Sequence, residues 1–183
     1  MKRIWLYKIV KTWGCLIIIL TFTTAIAFAA SYTALYPYLK RLPGWKADPP
    51  TGASVQMPDL HLITATRAYQ KGKKTFTAMI MIGPQALASW LPYAEGFKLE
   101  TPHELITTQK VDNFSVQIIY DKQNHSGGIL VELSPPEENG SRKAAAFHIS
   151  FNSMNPEEAL KIAEKFDWKG IQKAVERITK NKE

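Results

Sequence analysis

From Thr12 to Leu39 the chain carries no formal charge for 28 residues, and its first stretch, Trp13 to Ala30, reads WGCLIIILTFTTAIAFAA. A hydrocarbon core about 30 Å thick is crossed by about 20 helical residues. The run therefore predicts a single transmembrane helix over residues 13–39, with SYTALYPYL from Ser31 to Leu39 as its extension. Trp5, Tyr7 and Trp13 flank it on one side and Tyr32, Tyr36, Tyr38 and Trp45 on the other, where amphipathic rings favour the headgroup region. Lys2, Arg3, Lys8 and Lys11 precede the run and Lys40, Arg41 and Lys46 follow it, so the positive-inside bias places the N-terminus in the cytoplasm. A competing reading is a cleaved secretory signal, since AIAFAASY offers Ala27 and Ala29 in an A-x-A pattern ahead of Ala30. Either reading carries the rest of the chain out of the cytoplasm. Cys15 precedes LIIIL rather than following it, which argues against a lipid-anchored cysteine and for a small apolar residue in the span.

Charge sharpens this division. The net +7 invites a nucleic-acid reading, yet seven Lys and Arg and no Asp or Glu fall within residues 1–46, and the remaining 137 residues are neutral. Phosphate recognition draws its affinity from clustered cations, so nucleic acid is excluded as an expected partner. One cysteine excludes a disulfide scaffold, and the length allows one packed domain beyond the apolar run. The expected organisation is a basic cytoplasmic N-terminus at 1–12, a signal-anchor at 13–39, a Pro-rich linker at 40–58 and an extracytoplasmic domain at 59–183. In the linker, Pro43, Pro49, Pro50 and Pro58 argue against helix and central strand and for a semi-rigid spacer of up to about 50 Å.

The domain reads as α+β, a mostly antiparallel sheet of about five or six strands followed by C-terminal helices. Leu60 and Leu62 begin an alternation that turns at Gln70–Lys74 and continues as TFTAMIMIG, a hairpin. Gly83-Pro84 starts a short helix, and Leu105–Val111 reads as a strand. Val116, Ile118 and Tyr120, then Ile129, Val131 and Leu133, then Phe147, Ile149 and Phe151 define three further inward faces. Asn155-Pro156-Glu157-Glu158 supplies an N-cap, a first-turn proline and two acids for a helix start, with Leu160, Ala163, Phe166, Ile171 and Ile178 following at helical spacing.

Reactive signatures are sparse. His61, His103, His125 and His148 are scattered, without H-x-x-x-H or C-x-x-C, and no G-x-S-x-G or phosphate loop occurs, so no metal, cofactor or small-molecule substrate is expected. Glu132, His148 and Ser150 fall on the outward face of neighbouring strands, which leaves a small hydrolase as a third reading. Two partner-binding candidates remain. Thr21, Ala25 and Ala29 recur every four residues and form a small-residue helix face for another transmembrane helix. Trp90, Tyr93 and Phe97, bunched around Pro92 and Gly96, form an aromatic patch that is either core or a partner surface. The sequence thus leads to the expectation of a single-pass bacterial inner-membrane protein with a periplasmic domain, a non-enzymatic accessory subunit of an envelope complex. The alternative is an exported binding or inhibitor module of the immunity type.

Overall fold

Alternating apolar side chains make strands that need a partner sheet or helix to bury one face. The structure, a computed structural model, describes residues 32–57, 60–88, 95–134 and 144–180. A single 3-10 turn at Tyr36–Tyr38 leads into β1 (Lys46–Ala47) and β2 (Thr51–Met57). The hairpin β3 (Leu60–Lys71) and β4 (Lys74–Ile82) follows, then α1 (Pro84–Ala88) and β5 (Lys98–Glu100). Next come β6 (Glu104–Val111), β7 (Phe114–Asp121), β8 (Ser126–Ser134) and β9 (Ala145–Asn152), and finally α2 (Pro156–Ala163) and α3 (Trp168–Lys180). The strands form one nine-stranded sheet in the order β1-β3-β4-β9-β8-β7-β6-β5, with β2 also paired to β3. Every pairing is antiparallel. The fold is α+β, as the patterning predicts.

Local chemistry accounts for the joints. Asp112 and Asn113 both adopt positive φ, 50° and 69°, in a two-residue β6–β7 hairpin, the conformation that Asn and Asp tolerate best after glycine. Asn155 caps α2, its Oδ1 accepting from Glu158 N at 2.8 Å, with Pro156 at the first position. One sheet face is covered by α2 and α3. Phe76, Ile80, Val116, Ile129, Phe147 and Ile149 are buried there, Phe166 lies 5.0 Å from Phe147 and Trp168 lies edge-on 5.7 Å from Phe114.

Three expectations are corrected. The sheet has nine strands rather than five or six. Of the spacer expected at 40–58, the described residues 40–57 belong to the domain: Leu42 is buried, β1 pairs with Gln70 and Tyr69 of β3, and all seven residues of β2 pair with β3. Pro49 and Pro50 lie between β1 and β2, where they punctuate an edge instead of forbidding strand, because an edge strand tolerates interruption. The stretch Tyr32–Leu39, expected as the end of a membrane span, packs on the domain with Leu35 and Leu39 fully buried. Arg67, buried on the helix-covered face of β3, donates from Nη1 to Leu39 O at 2.7 Å and so caps the carbonyl end of the 3-10 turn. Tyr69 Oη donates to Lys40 O at 2.8 Å, and burial, partly offset by Arg67, pushes its phenol pKa up to about 12. Residues 13–31 of the expected span, including Thr21, Ala25 and Ala29, lie outside the described residues. No helix among the described residues is long and apolar enough to cross a membrane.

Candidate interaction surface

The second sheet face differs from an ordinary solvated one in its composition. Antiparallel sheets with one wet face normally place charged and polar side chains there. Outward positions on this half of the sheet are Thr51, Ala53, Val55 and Met57 on β2, Leu62, Thr64, Thr66 and Ala68 on β3, Thr77 and Met79 on β4, and His148 and Ser150 on β9. None of them carries a formal charge at neutral pH, although Lys46 of β1, exposed opposite Gln70, places one charge at the rim of the same face. Val55 and Met57 are 40% and 55% exposed, two of the three exposed large hydrophobic residues among those described. Leu62, Thr64, Thr66, Thr77, Met79 and His148 are half-buried, and Met81, Ala86, Leu130, Ala144 and Ala146 form a small second cluster against α1. Depletion of charge from a surface patch is the compositional mark of an interface core.

The two sheet edges are unlike. At β5 only three residues pair, and Glu100 Oε2 lies 2.8 Å from Lys98 Nζ while its Oε1 accepts from Lys122 Nζ at 2.9 Å. Those hydrogen bonds, from Lys98 first and then Lys122, hold the Glu100 carboxyl pKa down at about 2. At the other edge, β2 offers seven uncharged residues.

The catalytic candidates share a face but are not joined. Pairing sets Leu130 opposite His148, Glu132 opposite Ala146 and Gly128 opposite Ser150, and no hydrogen bond links the three. The imidazole leans towards Gly128: a Cβ there would lie 3.0 Å from His148 Nε2. Glu132 instead lines an open groove of about 440 Å³ with Lys169, Gln172 and Lys173. Among the described residues no group of three or more His, Cys, Asp or Glu is placed to hold a metal.

Burial alone lowers the His148 pKa below its usual value. The folded chain thus prefers the neutral ring, while the unfolded chain takes up a proton below about pH 6.5. The stabilisation is present above about pH 6.5 and is lost as pH falls from there through the lowered folded value. Guanidinium midpoints at about pH 8.0, 6.5 and 5.5, chosen to bracket the ordinary imidazole value, should show a loss that His148→Gln removes; equal acid losses in both proteins would count against this assignment.

Of the aromatic candidates, Phe97 is half-buried and extends the β5–β6 ladder, its N donating to Thr108 Oγ1 at 3.1 Å and its O accepting from Thr108 N at 2.9 Å. Trp90 and Tyr93 lie outside the described residues. Sequence reasoning missed β2, although T-x-A-x-V-x-M is itself an alternation. No protein-family model matches this chain, and comparison with curated proteins and with solved structures found no match.

Proposed function

We propose that this protein is a membrane-anchored, non-enzymatic interaction subunit of a bacterial envelope complex, holding its C-terminal domain on the periplasmic side. The observation that carries the reading is the junction between Ser31 and Leu42. The apolar run Trp13–Ala30 leads, through one serine, into Tyr32 and the buried residues Leu35, Leu39 and Leu42. An anchor so placed would hold the domain at the bilayer surface, with the charge-poor face of its sheet available to proteins there. Thr21, Ala25 and Ala29 would supply a second contact within the bilayer.

The test is the intact mass of the chain recovered from carbonate-washed membranes, followed by copurification after mild detergent extraction. Retention predicts the mass of residues 1–183 and a stoichiometric companion. A soluble product short of about 29 residues, the cut set by the A-x-A pattern, would replace this reading with an exported binding or inhibitor module.

A further inference from the structure

We propose that the outer edge of β2 pairs antiparallel with the β2 edge of a second copy of this chain. Among the described residues β2 pairs on one side only, with β3, so its other side presents a row of backbone groups that none of them pairs. Proteins protect such edges with charge, proline, bulges or short strands. Strand β2, TGASVQM, has none of these over seven residues, and its pairing with β3 runs without a register shift. At β5 the same sheet has a three-residue edge flanked by Lys98, Glu100 and Lys122. The charges that protect β5 are thus absent along the seven residues of β2, where Lys46 of β1, Pro49 and Pro50 precede the open stretch.

The occupant follows from self-complementarity and from where the rest of the chain departs. Antiparallel overlap of all seven residues is centred on Ser54. It sets Val55 opposite Ala53 and Met57 opposite Thr51 of the second copy, with no charge meeting a like charge. The two-fold axis of such a pair stands perpendicular to the sheet, so both copies turn the same face the same way. On the helix-covered face, Tyr32 packs against Gly52: a Cβ at Gly52 would come within 2.7 Å of its ring. With about 3.3 Å per residue along the strand and about 4.8 Å between strands, the two Gly52 positions stand about 14 Å apart. The two Tyr32 residues, one from each copy, then stand on the same face. An anchor on each chain is compatible with that arrangement, while the pairing itself does not require one.

The experiment uses the full chain in mild detergent, with Cys15→Ser as background. Residues opposed in an antiparallel pair lie about 4.5–5.5 Å apart at Cα, within disulfide range. The double variant Ala53→Cys/Val55→Cys, whose exposed positions oppose each other across the pair, should therefore crosslink to a dimer under mild oxidation, whereas Lys73→Cys, at the far hairpin tip, should not. Light scattering should give a dimer mass for the background protein and a monomer mass for Val55→Lys and for Met57→Lys, each still folded by circular dichroism and melting cooperatively at a temperature that no longer depends on protein concentration. A monomeric background protein overturns the proposal, as does a dimer that survives both lysine variants while the double cysteine variant fails to crosslink. A monomer that gains a strand from another envelope protein overturns it too. A dimer recovered from the soluble fraction would remove the anchor reading and leave this one standing; a membrane-held monomer would do the reverse.

Discussion

Replacing Leu39 with alanine should destabilise the domain by about 2–5 kcal/mol, the range for truncating a fully buried leucine. Leu39 is 0% exposed and belongs to the main core, beside Leu35 and Leu42. Its carbonyl, the acceptor for Arg67, is retained in the alanine variant, so the measured loss reports side-chain packing. Against a total stability of about 5–15 kcal/mol this is a large fraction. Denaturant unfolding of the full chain followed by tryptophan fluorescence would measure it, with exposed Lys40→Ala as a control near zero. A Leu39→Ala midpoint equal to that of the control would mean that residues 32–42 are a tether after all, and would return the spacer to residues 40–58.

Gly83→Ala should be still more damaging for its size, about 3–5 kcal/mol, because two separate costs fall on one methyl group. Gly83 has φ +117°, a conformation that L-residues rarely adopt, and an added Cβ would collide with His61 O. Neither cost is easily relieved: the obstructing atom is backbone at the start of β3, and Gly83 N donates to Ala144 O at 2.8 Å, which pins the turn between β4 and α1 to β9. Gly72→Ala is the informative comparison. It also has positive φ, 60°, but nothing lies within 4 Å of an added Cβ, so it should show strain alone, about 1 kcal/mol. Equal losses at the two positions would show that the backbone contact at Gly83 does not matter.

How much of this could be read in advance varied with the kind of signal. The β3–β4 hairpin and the start of α2 at Asn155 were legible because period-two alternation and a cap followed by proline are local. Strands β1 and β2 were hidden because four prolines in residues 40–58 read as a spacer, although two of them only separate one edge segment from the next. Leu35, Leu39 and Leu42 were hidden by their neighbours: an uncharged run beginning at Thr12 absorbs them, and nothing in their own spacing says whether lipid or a sheet covers them. The alternation correctly put Glu132, His148 and Ser150 on one face, but their contacts depend on register and on Gly128, whose missing side chain gives the imidazole room away from Glu132. Residue parity is a sequence property, while cross-strand contact is not.

The short, ion-paired β5 edge has a consequence for assembly size. A molecule with two open edges could add copies indefinitely and grow into a fibre. If pairing uses β2 alone, the two copies make one continuous sheet whose outer margins are both β5, where Lys98, Glu100 and Lys122 discourage further addition. Growth then stops at two, and the charges that contribute little to the stability of the single chain act as terminators of the assembly.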